Sequence, residues 1–379
     1  MRLVPLLSVA LLISAEAADL RPVSPPGTKT IGPYSPGIVA GGMVYVSGQG
    51  ASDAKGQRPP TIDAQIRQTL ENVRVILEAE KITFQHVVSA HVYLADMKDY
   101  EALNRIWAEY FPKDPPTRTV LGVVRMPTDS PVEITVVAAV NLRAKQVLKQ
   151  PGTKPSESVS AGISTGDRIY LSAATGRDRA GVIPTDARAQ VRIVVAELEA
   201  VLKQSGLQIR NMVYANIYVD PGMPLKELAA VIDDFIPDET ARTVIQTNSL
   251  PFGTHIQISG LASGDSKRLG GHCTTVAETV YCSGRVGTVR QALDSLKADL
   301  QAGGLNLSRS VSANVYIDEL DQFTSMNKVY STYFGDVPPT RTTVQPWKGV
   351  PELSLPPTTG VATAQDDSPR AQVSIIAVR

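Results

Sequence analysis

Val88-Ser89-Ala90-His91-Val92-Tyr93, followed by Pro116-Thr117-Arg118-Thr119-Val120, decides the architecture, because the chain carries this pair three times. It returns as Val213-Tyr214-Ala215-Asn216-Ile217-Tyr218 with Thr240-Ala241-Arg242-Thr243-Val244. It returns again as Val311-Ser312-Ala313-Asn314-Val315-Tyr316 with Pro339-Thr340-Arg341-Thr342-Thr343. A third landmark, Val44-Tyr45-Val46-Ser47, matches Ile169-Tyr170-Leu171-Ser172 and Val280-Tyr281-Cys282-Ser283. Tyr45 to Tyr170 and Tyr93 to Tyr218 are both 125 residues, and Arg118 to Arg242 is 124. From the second copy to the third the spacing falls from 111 (Tyr170 to Tyr281) to 98 (Tyr218 to Tyr316), so the third copy has lost a loop after its second strand. These intervals exceed a solenoid unit, so the copies are tandem domains.

The first copy shows what each domain is. Ile38-Val39-Ala40, Gly41-Gly42 and Met43-Val44-Tyr45-Val46 form a hairpin with a two-residue turn. Ile62, Ile66, Leu70, Val73 and Leu77 recur at helical spacing. Val87 to Leu94 is a β-rich run, and Tyr100 to Phe111 a second helix. Arg118 to Val124 and Val132 to Val140 are two further strands. The order ββαβαββ is an α+β layer of two helices on one sheet. Gly-, Ser- and Lys-rich stretches near Lys145–Lys154 and Ala262–Arg268 mark the joints. The expected domains are residues 18–145, 150–263 and 268–379, in agreement with roughly 100–200 residues per domain for a chain of 379.

Arg2, the apolar run Leu3 to Ile13 and the small-x-small site Ala15-Glu16-Ala17 read as a secretory signal over residues 1–17, with an N-terminal membrane anchor as the competing reading. No later stretch approaches a membrane span. The mature chain is therefore expected to be secreted or periplasmic and free of the membrane. Lys plus Arg equals Asp plus Glu, 37 each, which removes the whole-chain electrostatic case for a nucleic-acid partner.

Both cysteines fall in the third copy. Placing Tyr281 on Tyr45 puts the hairpin turn at Ala277-Glu278 and sets Cys273 opposite Cys282. That is a non-hydrogen-bonded pair, with Cα atoms about 4.5 Å apart, inside disulfide range. Export permits oxidation. A cross-strand disulfide is expected, with two reduced core thiols as the alternative. His86, His91, His255 and His272 show no ligand spacing, so no metal is expected.

Ile31-Gly32-Pro33-Tyr34-Ser35, Val44-Tyr45-Val46-Ser47-Gly48-Gln49, Asn104 ahead of Trp107 and Phe111, Pro116-Thr117-Arg118-Thr119 and Val132-Glu133-Ile134 resemble the Rid (YjgF) family, also labelled endoribonuclease L-PSP, in order and spacing. The resemblance implies a chorismate-mutase-like fold, homotrimers with clefts between subunits, and cofactor-free hydrolysis of 2-imino acids to 2-keto acids and ammonia. Three linked copies are the number needed for one such trimer, so a monomer of pseudo-threefold symmetry is expected.

The residues suit that chemistry. A guanidinium can grip a planar carboxylate through two parallel hydrogen bonds, and Arg118 is the first-copy candidate. Glu133 could hold or activate the attacking water. Tyr34, Ser47 and Asn104 could hydrogen-bond the substrate. The resemblance sets Arg242, Arg341, Ser172, Ser283 and Asn327 at matching positions of the other copies. Where the family often has Cys two residues after the Arg, this copy has Val120. Tyr34 aligns with Val159 and Gly270, Asn104 with Leu228 and Asn327, and Glu133 with Gln257 and Gln372, the last beyond a Pro/Thr/Asp-rich insert from Leu355 to Arg370. Gln can orient water but is a poor base. The expected partner is a small 2-imino or 2-keto carboxylic acid. Two readings follow, an imine deaminase with one competent cleft and a carboxylate-binding protein without turnover. RNA cleavage rests on the family label alone, since no basic run interleaved with aromatics supports it. Because family clefts lie between subunits, Arg118 is also placed to face a neighbouring copy instead of Tyr34.

Overall fold

The computed structural model describes residues 19–149, 158–223, 228, 231–348 and 368–379. The signal segment, residues 1–17, lies outside the described residues, as does all but the end of the third-copy insert. The first domain contains β1 (Arg21–Val23), β2 (Gly37–Ala40), β3 (Met43–Gln49), α1 (Ile62–Ala79), β4 (Val87–Leu94), α2 (Tyr100–Tyr110), β5 (Thr117–Gly122) and β6 (Val132–Ala139). The sheet order is β1-β2-β3-β6-β4-β5, with β4 and β5 parallel and the other neighbours antiparallel. The β2–β3 turn is Gly41-Gly42, both at positive φ, a conformation that glycine adopts without a Cβ clash.

The second domain repeats the plan with β7 (Gln146–Leu148), β8 (Gly162–Ser164), β9 (Ile169–Thr175), α3 (Ala187–Leu202), β10 (Met212–Val219), β11 (Ala241–Gln246) and β12 (Ile256–Ala262). The third has β13 (Ser266–Arg268), β14 (Cys273–Val276), β15 (Thr279–Thr288), α4 (Val289–Ala302), β16 (Ser310–Ile317), α5 (Phe323–Tyr330), β17 (Thr340–Val344) and β18 (Arg370–Val378). The register verifies the sequence alignment. Arg118, Arg242 and Arg341 stand opposite Ala90, Ala215 and Ala313. Glu133, Gln257 and Gln372 stand opposite Tyr93, Tyr218 and Tyr316. Cys273 pairs with Cys282 across the third hairpin and forms the disulfide, with Cα atoms 4.1 Å apart. Two stretches read as connectors do more than connect. β7 and β13 lie within them and extend the following sheet, because an open strand edge offers unpaired N–H and C=O groups.

Both faces of each sheet are buried, and the period of two sorts them. Val44, Val46, Ala90, Val92 and Leu94 point to the helices and meet Ile66, Leu70, Val73 and Leu77 of α1. α1 begins on Thr61, whose hydroxyl accepts from Ala64 N–H. Full burial of each of its large apolar side chains is worth about 1.5–3 kcal/mol. The alternate residues Met43, Tyr45 and Val88 point inward and join Tyr170, Val213, Tyr281 and Val311 from the other domains. The three domains close a ring. β5 lies against β9, β11 against β15, and β17 against β3. In each sheet the Arg-bearing strand is the outer edge strand, so its arginine reaches the next domain in the ring.

Candidate active site

At each inter-domain joint one serine hydroxyl receives the backbone N–H of the neighbouring domain's arginine. The Ser47 hydroxyl accepts from Arg341 N–H at 2.9 Å and donates to Ser35 C=O at 2.7 Å. Ser172 accepts from Arg118 N–H at 2.9 Å and donates to Ser160 C=O at 2.7 Å. Ser283 accepts from Arg242 N–H at 3.1 Å. These serines were candidates for substrate contact. Their hydroxyls are instead engaged in seating each arginine against its neighbour domain. A second serine reinforces two of the joints. Ser35 donates to Pro338 C=O at 2.6 Å, and Ser160 to Pro115 C=O at 2.5 Å.

The consequence corrects the expected grouping of Arg118 with Tyr34 and Glu133. Arg118 stands at the joint with the second domain, its backbone N–H on Ser172 and its guanidinium against Asn104 and Trp107 of the first, whereas Arg341 arrives from the third domain and meets Tyr34 and Glu133. β5 is the edge strand of its sheet, and Glu133 sits two strands inward on β6, so an outward arginine and an inward carboxylate of one domain cannot share a cleft.

In the cleft between the first and third domains, the Arg341 guanidinium carbon lies 5.1 Å from the Tyr34 ring centre, 5.5 Å from Phe323 and 4.8 Å from Tyr330. Arg341 is 4 % exposed, and burial lowers its pKa. Arg341 Nη2, Asn327 Oδ1 and Thr343 Oγ1 are all buried with no hydrogen-bond partner among the described residues. Three converging orphan groups, one charged, carry a desolvation cost that a polar ligand would repay. Glu133 is 6 % exposed, and burial pushes its carboxyl up to about 8 against the opposing pull of Arg341. Burial also raises the Tyr34 phenol. Its oxygen accepts from Ile31 N–H at 3.3 Å, which leaves the O–H free to donate. Two glycines make room. A Cβ at Gly32 would stand 2.6 Å from Arg341 Nη2 and 2.8 Å from Asn327 Oδ1, and one at Gly48 would collide with the Glu133 carboxylate. The cleft opens into a pocket of about 810 Å³ lined by Tyr34, Gly48, Glu133, Phe323, Arg341 and Thr343 among others.

The two other clefts differ. Arg118 Nη2 donates to Asn104 Oδ1 at 2.5 Å, and its Nη1 has no partner among the described residues. The guanidinium carbon lies 5.2 Å from Trp107 and 5.9 Å from Tyr100. The position of Glu133 is held there by Gln257, whose amide donates to Val120 C=O at 2.9 Å. Arg242 is bound within its own domain, to Asp233 at 2.9 Å and Asp238 at 3.3 Å. Leu228, at the Asn327 position, is buried in the core. A pocket of about 260 Å³ remains beside Arg242, His272, Cys273 and Ser283.

Sequence reasoning missed Thr343, Tyr330 and Phe323, and the Asp233–Asp238 clamp on Arg242. The Asp233-Asp234 pair near Arg242 was the visible signal for the clamp.

The model of the family described as Endoribonuclease L-PSP matches residues 26–140, 150–263 and 272–354. The chain belongs to this family, the Rid/YjgF proteins. A RutC family protein of Saccharolobus solfataricus is 40% identical over 112 residues, which are 29% of this chain and 89% of the relative. One from Pyrococcus horikoshii gives the same identity and coverage. Among solved structures, the Escherichia coli YjgF gene product is 30% identical and covers 31% of this chain and 98% of its own, with a TM-score of 0.30. Yeast Mmf1 is 30% identical and covers 32% and 98%, with a TM-score of 0.31. Each relative thus corresponds to one third of this Rid-family chain.

Proposed function

We propose that this chain hydrolyses 2-imino acids to 2-keto acids and ammonia, and that it does so in the cleft between its first and third domains. One observation carries the reading. A carboxyl raised to about 8 and a buried guanidinium whose Nη2 has no partner among the described residues share one pocket, and they are Glu133 and Arg341.

The substrate carboxylate takes the free Nη2 of Arg341, with Tyr34 O–H and Thr343 O–H as further donors. This fixes the imine carbon in front of Glu133. At neutral pH Glu133 holds its proton and gives it to the imine nitrogen, which makes the carbon electrophilic. The resulting carboxylate takes a proton from water as the water oxygen bonds to that carbon. The tetrahedral carbinolamine then collapses. Glu133 protonates the leaving nitrogen, ammonia departs, and the hydroxyl proton returns to Glu133 as the keto group forms. Water and imine are consumed, keto acid and ammonia are produced, and Glu133 ends as it began.

The test is keto-acid release from freshly generated 2-iminopropanoate. Arg341→Ala is expected to lose about 100-fold or more in kcat/KM, the scale on which one preorganised electrostatic contact acts. Arg118→Met is expected to stay within about threefold of wild type, since it faces the other cleft. A wild-type rate no better than buffer defeats the proposal.

We also propose export of the mature chain as a monomer, a reading supported by the Cys273–Cys282 disulfide and by the closed ring of three domains. Light scattering at the mass of one chain is the expected result, and a mass near three chains overturns the monomer.

A further inference from the structure

The pocket that holds Arg341 and Glu133 is much larger than the acid described above requires. Its volume of about 810 Å³ lies within the range of roughly 300–1,000 Å³ that accommodates drug-sized ligands. A 2-iminopropanoate gripped by Arg341 has only a handful of heavy atoms and fills the inner end. The remainder of the lining includes Ile76 and Val75 of α1, Pro26 and Ile31 of the loop before β2, and Phe323 of α5.

In this outer chamber the apolar side chains share the lining with Thr28, Lys29, Ser52, Asp53, Lys55 and Arg58, and two of the apolar ones are open to solvent. Ile31 is 49% exposed and Val75 45%, and they are two of only six large exposed hydrophobics among the described residues. Isolated exposed apolar residues mean little. Two in one concavity, continuous with a buried charged site, mark a surface shaped for an apolar group. The neighbours of Val75 show that the exposure belongs to the pocket side. Val73 and Ile76 are buried in the domain core, while Val75 projects away from it. Lys29, Lys55 and Arg58 ring the same pocket, and Arg58 is held by Thr128 and Asp129 carbonyls at 2.5 and 2.8 Å. Asp53 shares this rim and offsets one of the three cations, and the remaining positive charge suits an incoming carboxylate.

The geometry points to a 2-imino acid with a large apolar side chain, aromatic or branched, as the substrate class of this cleft. The inference rests on the deaminase reading. The carboxylate sits at Arg341, the imine carbon before Glu133, and the side chain extends between Tyr34 and Val75 toward Ile31. A small imino acid would leave this chamber wet and forgo its contacts.

The experiment compares kcat/KM for 2-iminopropanoate and 2-imino-3-phenylpropanoate, each generated in place from alanine or phenylalanine by an amino-acid oxidase. Wild type, Val75→Asp and Ile31→Ser are compared, with circular dichroism and melting confirming the fold. Wild type is expected to prefer the phenyl substrate by about tenfold or more, the scale of discrimination an apolar pocket achieves. Val75→Asp is expected to collapse that ratio toward one, and Ile31→Ser to reduce it. Equal kcat/KM for the two acids in wild type, or a ratio unmoved by both substitutions, overturns the inference. If neither imino acid is hydrolysed, the deaminase reading fails by itself. Calorimetry with pyruvate and phenylpyruvate then decides the chamber's role. Phenylpyruvate binding about tenfold tighter, with the advantage lost in Val75→Asp, upholds apolar selectivity, and equal affinities reject it.

Discussion

Arg341 and Arg242 occupy the same register in two sheets, follow equivalent edge strands, and are seated by equivalent serines of the next domain. Yet one guanidinium is available and the other is occupied. Arg341 meets aromatic rings and keeps a free Nη2. Arg242 meets Asp233 and Asp238, two carboxylates from its own domain that occupy its guanidinium. The residue opposite differs as well, with Glu133 in the first case and Gln372 in the second. A shared scaffold therefore does not confer a shared function. The third cleft retains the architecture and has satisfied its own anion site.

The largest expected effect comes from giving the Arg341 cleft the chemistry of the third cleft, the one between the second and third domains that holds Arg242 and Gln372. Glu133→Gln should lower kcat by about 100-fold or more, the loss associated with a general acid–base group. Keto-acid binding should persist, because Arg341 is untouched. If turnover survives, Glu133 is not the group that separates the two clefts.

The next effect is in pH. Activity that needs a protonated Glu133 should hold at neutral pH and fall as pH rises through about 8. The same group makes a stability prediction. An unfolded glutamate loses its proton near its ordinary value, about 4.3, whereas folded Glu133 keeps it up to about 8. Between those values the folded state holds more protons, so stability should fall as pH rises. Melting of Glu133→Gln between pH 5 and 9 should show a shallower decline than wild type, and parallel curves would contradict the raised pKa.

A smaller effect concerns the wall of the third cleft. Cys273 lines the pocket beside Arg242 and is stapled to Cys282 nine residues away. Closing a loop of that size is worth about 2–3 kcal/mol. Cys273→Ala with Cys282→Ala should destabilise the third domain by about that amount in urea, and mass spectrometry should detect the bond in wild type as a two-proton gain on reduction.

The subtlest test is to open the occupied cleft. Asp233→Asn with Asp238→Asn should release Arg242 and add a weak second equivalent of keto acid in calorimetry. Turnover should not rise, because Gln372 has no proton-accepting charge. Unchanged stoichiometry would mean that more than the two aspartates separates this cleft from the Arg341 cleft.

Much of this was legible in the sequence because it depends on local periodicity. The threefold repeat, the Gly41-Gly42 hairpin, the opposition of Cys273 and Cys282, and the alignment of Glu133 with Gln257 and Gln372 all follow from strands whose register is fixed by alternation and by a two-residue turn. The pairing of Arg341 with Glu133 was not legible. It depends on which way the ring closes, and the position that matters after the arginine is Thr343, not Val120. The Asp233-Asp234 pair signals carboxylates near Arg242, but which of them joins Asp238 in capturing the guanidinium depends on side-chain geometry.

Tyr34 and Arg341 are separated by 307 positions of sequence (341 minus 34). During synthesis the first two domains are complete long before their missing guanidinium is translated. On the proposed deaminase reading, a nascent or truncated chain therefore carries no complete Arg341–Glu133 cleft, however well its early domains fold. Loss of the third domain by proteolysis would remove Arg341 while leaving Glu133 and Tyr34 in place, so the proposed activity would report whether the first and third domains are still joined.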